Sequence, residues 1–264
     1  MGHSDSILDL RDIHKRFGGL QVLDGISLSV REKAVHGVIG PNGAGKSTLF
    51  NIIAGLLRAD SGEIIFNGQS LARVSTCRRV PLGMARTFQN IRLFKNMTVE
   101  ENVLIGQHSH TPTPVLSIIV NGRYAREWEA RARSAAGAAL KRVGLEARKG
   151  DLAKNLSYGQ QKLVEFARAL AARPRLILLD EPAAGMNVAE KMGLLRIISG
   201  LRDDGYTIVL IEHDMKMVMH VCDFITVLDH GKKIAEGEPS YVRSHPDVVA
   251  AYLGKGGGIR AGTH

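Results

Sequence analysis

Short strands alternating with helices predict an α/β fold built on a mainly parallel core sheet covered on both faces. Three observations carry this reading. Strands and helices alternate from residue 158 to residue 236, and a glycine-rich loop stands between a strand and a helix near residue 40. Period-two apolar runs near the N-terminus suggest an antiparallel β subdomain.

Residues 7–14 and 27–30 alternate as strands, and 63–66 is a third, with Asn67-Gly68 as its hairpin turn. Residues 35–39 read as a short strand and 49–57 as a helix. The stretch 71–80 is basic and irregular. Residues 83–103 open like a strand, pass through a polar turn and resume as a helix near Thr98, which can form a capping box with Glu101. A Pro/Thr/His loop is expected at 108–114. A long helix is expected at 123–140, with its charges on a solvated face and Trp128 as a packing residue.

Ser157 caps a helix over 158–172 that stops before Pro174. Strand 176–180, helix 188–202, strand 207–211 and helix 215–221 follow, with Asp203-Asp204-Gly205 ending the second of these. Residues 224–229 and 233–236 form a hairpin across His230-Gly231, and helical segments near Tyr241 and Val248 close the fold. The glycine-rich stretch 254–264 reads as a frayed tail.

The chain of 264 residues is 44% hydrophobic, enough for a buried core. Cys77 and Cys222 give no disulfide framework and fit a reducing compartment. The polar start has no apolar h-region, and no run approaches the roughly 20 apolar residues that span a bilayer. The expectation is a soluble chain, or one held at a membrane by a partner. A net charge of +9 suits anionic partners without choosing among them. No nucleic-acid motif is present, and no nucleic-acid partner is expected.

Gly40, Pro41, Asn42, Gly43, Ala44, Gly45, Lys46, Ser47 and Thr48 fit G-x-x-x-x-G-K-[ST] at every fixed position. Glycines let such a loop turn its N–H groups inward, and the positive end of the following helix completes an anion cradle. Lys46 can reach β- and γ-phosphates, and Ser47 can ligate magnesium. Strand 176–180 ends in Asp180, which would sit beside the loop and hold the metal, largely through its water shell. Glu181 comes next, where it could accept a proton from an attacking water. Ser157 and Gly159 open a helix whose first-turn amides stay uncovered, which makes a second anion site.

LSYGQ at 156–160 resembles a signature of the ATP-binding cassette ATPases, a family of P-loop NTPases. The resemblance covers about residues 8–253 and rests on five ordered elements: the phosphate loop, Gln89 in TFQN, LSYGQ, LLDEP at 178–182 and His213 in IEHD. It implies one nucleotide-binding domain over 7–253, with a helical subdomain at about 90–172. It further implies ATP and Mg²⁺ as cofactors, and two cassettes that pair head to tail around ATP. Ser157 and Gly159, with Gln160 beside them, would then meet the partner's nucleotide. Gln89 would touch magnesium and water, and His213 would donate to the γ-phosphate. Phe17 would stack on adenine with Val22 nearby, although core packing is the alternative for Phe17.

GMARTFQNIRLFKNMTVEENV, EPAAGMN and PDVVAAYLG are similar to the branched-chain amino-acid importer ATPases within that family. The one departure is Lys33-Ala34, where most relatives read Gly-Glu. The resemblance implies an ATP-hydrolysing importer subunit on the cytoplasmic face of the inner membrane. Its implied partners are two permease chains docked near 89–103, a second ATPase subunit, identical or sister, and indirectly a periplasmic binding protein. The alternatives are a soluble cassette acting on ribosomes or nucleic acid, and a regulatory module that does not hydrolyse.

Overall fold

The computed structural model describes residues 6–87, 91–110 and 122–253. In chain order the elements begin β1 (Ser6–Phe17), β2 (Leu20–Arg31), β3 (Val35–Ile39), α1 (Lys46–Ile53), β4 (Ser61–Phe66), β5 (Gln69–Ser70), α2 (Thr76–Arg79) and β6 (Met84–Arg86). Next come α3 (Val99–Leu104), a 3-10 turn (Ile105–His110), α4 (Gly122–Arg142) and α5 (Tyr158–Ala171). The last third holds β7 (Leu176–Asp180), α6 (Val188–Asp203), β8 (Thr207–Ile211), α7 (Met215–Val221), β9 (Phe224–Asp229), β10 (Lys232–Gly237), α8 (Pro239–Ser244) and α9 (Pro246–Leu253).

The chain divides into two compact units. The first comprises Met1–Thr76, Leu178–Glu181 and Ile198–His264; the second comprises Cys77–Ile177 and Pro182–Ile197.

In the first unit an antiparallel sheet runs β2-β1-β4-β5. Its β4–β5 turn puts Asn67 and Gly68 at φ 50° and 75°, the left-handed pair that a tight hairpin needs. A second sheet runs β10-β9-β3-β8-β7, with β3 parallel to both β8 and β9. All five residues of β3 and of β8 are buried, as a parallel strand covered on both faces requires.

Gly37 leaves no room for a side chain, since a Cβ there would lie 2.9 Å from Cys222 Sγ. Burial, with Asp223 and Glu212 adding to it, pushes the Cys222 thiol up to about 12, so it acts as a core residue and not as a nucleophile.

The second unit is mainly helical. Thr98 accepts from the Glu101 amide, and Glu101 accepts from the Thr98 amide, which closes the expected capping box on α3. Asn102, fully buried, bonds Phe94 through both amide atoms and so fixes the turn before α3. β6 flanks the start of β7, where the Arg175 and Leu176 amides share the Gly83 carbonyl at 2.7 and 3.0 Å. Among the described residues no helix is long and apolar enough to cross a membrane.

The structure corrects three expected elements. Helix α1 starts at Lys46, not Leu49, because the glycine loop feeds straight into it; it stops at Ile53, before Gly55 at φ 79°. Part of 71–80 forms the short helix α2. His108 lies in a 3-10 turn, while the rest of the expected loop, from 111, lies outside the described residues, as does the tail 254–264.

His36, buried in β3, bonds Thr226 Oγ1 at 2.8 Å. Burial, reinforced by Lys233 and Arg31, pushes its imidazole down to about 3. The unfolded chain takes up this proton near pH 6.5, so from there down to about pH 3 the unfolded state binds more protons than the folded one. The neutral histidine therefore costs nothing above about pH 6.5, and stability falls as pH drops through that window. From pH 6.5 to 5, urea unfolding of the wild type should lose about 1 kcal/mol per pH unit more than unfolding of His36→Gln. Parallel slopes for the two proteins would contradict this.

Candidate nucleotide site

In the first unit, β3 ends at Ile39 and the chain turns through Gly40 and Gly43 into Gly45, which caps α1 at φ 99°. The first intrahelical bond runs from the Leu49 amide to the Gly45 carbonyl at 2.9 Å. The amides of Lys46, Ser47 and Thr48 therefore have no intrahelical acceptor and point out of the helix start. No acidic residue occupies that first turn. This is the cradle expected of residues 40–48.

Lys46 is buried, and its Nζ donates to the carbonyls of Gly40 at 2.7 Å and Pro41 at 3.0 Å. Burial pushes its ammonium pKa down, while Glu181 and then Asp180 push it up. The structure thus brings together the lysine and both carboxylates chosen from sequence. Asp180 ends β7 and is 5% exposed; Glu181 follows at φ 46° with its amide bonded to the Ile211 carbonyl at 3.0 Å. A left-handed glutamate is strained, and strain of this kind gathers at functional sites.

His213, past the end of β8, is exposed; its amide donates to the buried Glu212 carboxylate at 3.2 Å, and Asp214 caps α7. Ser47 is exposed at the cradle. The hydroxyl of Ser47 and the carboxylate of Asp180 are hard oxygen donors, the set that Mg²⁺ prefers. Phe17 is 47% exposed with Lys15 Nζ 5.5 Å from its ring centre, so core packing is excluded for it. A Cβ on Gly45 would lie 2.8 Å from the Val22 carbonyl oxygen, which places Val22 beside the phosphate loop. Gln89 lies outside the described residues.

In the second unit, Ser157 Oγ accepts from the Gln160 amide at 3.3 Å and Gln160 Oε1 accepts from the Ser157 amide at 3.1 Å. Arg148 also donates to Gln160 Oε1 at 3.2 Å. The capping box fixes the start of α5, leaving the amides of Tyr158 and Gly159 without helical acceptors.

Sequence reasoning missed what supports this start. A Cβ on Gly159 would collide with the Glu190 carboxylate, and one on Gly185, at φ 77°, would lie 2.8 Å from the Tyr158 ring. Glu190 is itself held by a capping box: its carboxylate accepts from the Asn187 amide at 3.0 Å, and its amide donates to Asn187 Oδ1 at 2.9 Å. The signal was available, since Asn187 stands three residues before Glu190 at the head of a predicted helix.

Residues 23–184 match the family model described as ABC transporter, and residues 232–257 match one described as branched-chain amino acid ATP-binding cassette transporter. The chain is 42% identical over 253 residues to the high-affinity branched-chain amino acid transport ATP-binding protein BraF of Pseudomonas aeruginosa, covering 96% of this chain and 99% of that protein. It is 39% identical, over the same shares, to the ATP-binding protein LivG of Escherichia coli. A crystallised ATP-binding cassette of an ABC transporter in its ADP conformation superposes with a TM-score of 0.82 at 36% identity, covering 95% of this chain and 99% of that one. A nucleotide-free cassette gives 0.81 at 35% identity, with 94% and 98% covered.

The Gly159–Glu190 contact is testable by stability. Gly159→Ala should drive Glu190 off its cap and cost about 1 kcal/mol, as should Glu190→Ala. The double variant should cost little more than either single one, because both remove the same cap. Additive losses in denaturant titrations would show that the two residues act separately.

Proposed function

The chain belongs to the ATP-binding cassette transporter family, and from that premise we propose that it energises uptake of branched-chain amino acids through separate membrane-embedded subunits. It binds and hydrolyses ATP as the ATP-binding subunit of an importer. The gathering of Lys46, Asp180 and the left-handed Glu181 at one end of β3 and β7 carries the reading. The alternative of a cassette working on ribosomes or nucleic acid is not favoured, because transport proteins align with 96% of the chain.

The geometry accounts for the chemistry in steps. The free amides of Lys46, Ser47 and Thr48 receive the β- and γ-phosphates, and the Lys46 ammonium neutralises their charge. Phe17 offers an exposed ring for adenine to stack on, with Val22 nearby. Glu181 accepts a proton from water as its oxygen forms a bond to the γ-phosphorus; the bond from that phosphorus to the bridging oxygen breaks, leaving ADP and inorganic phosphate. His213, exposed past β8, donates to the γ-phosphate, and Gln89 would orient the water and be a further ligand for a bound metal. Ser47 and Asp180 would hold Mg²⁺, which when bound supplies positive charge to the β- and γ-oxygens.

The assembly follows from the second anion site. The uncovered amides at the start of α5, beside Ser157, Gly159 and Gln160, are a second place for a phosphate to bind. It serves the nucleotide of a second ATPase subunit, identical or sister, so that ATP closes the pair and its hydrolysis opens it. Two permease chains dock near residues 89–103 and keep the subunit on the cytoplasmic face of the inner membrane, with a periplasmic binding protein delivering cargo from outside. Residues 7–253 act as one nucleotide-binding domain, whose helical subdomain spans about 90–172.

Glu181→Gln should lower phosphate release at least about 100-fold while ATP binding persists and an ATP-dependent dimer accumulates in size-exclusion chromatography. Turnover near the wild-type rate would remove Glu181 from its role. Lys46→Ala should abolish measurable ATP affinity in a calorimetric titration; a wild-type dissociation constant would contradict the assignment of the loop.

A further inference from the structure

An ion pair lies largely out of water on α5, about two to three turns past the helix start at Ser157. Glu165 is buried, and its Oε1 accepts from the Arg92 amide at 2.6 Å. Arg168 is half-buried; its Nη1 donates to the Arg92 carbonyl at 2.8 Å, and its Nη2 pairs with Glu165 Oε1 at 3.3 Å. One ion pair therefore holds both the N–H and the C=O of a single residue. Removing such a pair from water costs more than its own attraction returns unless further hydrogen bonds join it. Here the further bonds all go to the backbone of residues 91–94, which form no helix or strand.

From Arg92 the chain continues as a strap against the residues that lead into α5. The Lys154 amide donates to the Lys95 carbonyl at 3.2 Å, and the Ala153 amide donates to the Met97 carbonyl at 3.0 Å. Thr98 bridges Leu152, and the Val99 amide donates to the Asp151 carbonyl at 2.9 Å. Arg148, paired with Asp151 at 2.9 Å, reaches on to Gln160 Oε1. The strap, the run 148–156 and the first three turns of α5 make a closed ring, all inside the second unit. The clip on Arg92 is where that ring fastens. Without it, Ser157 and Gln160 keep their reciprocal cap, but the strap no longer ties α5 to the run that leads into it.

We propose that Glu165 and Arg168 are positioning residues of the second anion site: by clipping the Arg92 backbone they close the ring that fixes where the start of α5 points. This rests on the paired-subunit reading above and deepens it. Neither residue contacts nucleotide; both act through the strap.

The test uses the full-length chain with Glu181→Gln, whose ATP-dependent dimer persists. Into it go Glu165→Gln, or Glu165→Leu together with Arg168→Met. The apolar pair leaves no buried charge without its partner, so the fold should persist while the clip is lost. Glu165→Gln keeps an oxygen for the Arg92 amide and puts its NH₂ group at Oε2, which has no partner among the described residues. Sedimentation equilibrium in saturating ATP gives the dimer dissociation constant, and calorimetric titration with ADP reads the phosphate loop alone. The apolar pair should weaken the dimer about 10-fold, with ADP affinity within about twofold. Glu165→Gln should stay within about threefold of the reference for the dimer. An unchanged dimer in the apolar pair overturns the proposal. So does an equal loss of ADP affinity, which marks a general loosening of the fold, and so does a glutamine variant as weak as the apolar pair. Should the apolar pair not fold, Arg168→Gln decides: a dimer weakened at least about threefold with ADP affinity kept supports the clip, and an unchanged dimer overturns it. A Glu181→Gln reference that stays monomeric in ATP would instead sink the paired-subunit reading, and the positioning role with it.

Discussion

The close approach of backbone to backbone around residues 40–45 is the constraint on which the rest of the molecule depends. A loop that binds phosphate through amides must leave those amides without protein acceptors, and so must be held from behind by something other than its own hydrogen bonds. Here the hold is steric, joined by hydrogen bonds to the loop's carbonyls from Lys46 and the Gly231 amide. Leu228 fills the place of a side chain on Gly40, and Val22 and Leu23 fill the place of one on Gly45. The buried strands β3 and β8 supply a rigid platform for this contact, since every residue in them is packed on both faces. The carboxylates at the end of β7 then arrive beside Lys46 because parallel strands deliver their C-terminal ends to one edge.

The helix start in the second unit solves a related problem by other means. It relies on reciprocal side-chain caps: Ser157 with Gln160 orders the first turn of α5, and Asn187 with Glu190 orders the first turn of α6. The second cap presents its carboxylate to Gly159, and Gly185 lets the chain pass the Tyr158 ring. Glycine is needed at 159 because a neighbouring side chain crowds its Cβ position, whereas at 45 a left-handed φ of 99° adds to the crowding by Val22 and Leu23.

Much of this was legible in the chain. The bounds of β3, β7, β8, α7 and β9 follow from short apolar runs between turn residues, and both the Thr98–Glu101 and Ser157 caps could be read directly. The start of α1 was misplaced because glycine-rich sequence hides a helix whose first residue belongs to the binding motif. Lys33 shows a finer limit. Its departure from the glycine of relatives put the local turn in question, and the structure keeps a left-handed turn there with Lys33 at φ 57°, its amide bonded to Thr207 Oγ1 at 2.9 Å. Phe17 could have been core or surface by sequence, and only its exposure decided.

The backbone of Glu181 carries a last consequence. A glutamate in the left-handed region is held there against its own preference, at an expense of about 1 kcal/mol or more that the surrounding fold absorbs. Asparagine or glycine would sit at that position with less tension, yet neither can serve as the base. Laboratory evolution toward heat resistance alone would therefore drift to replacements at this position, yielding hardier molecules that no longer turn over; resilience and work are opposed at a single residue.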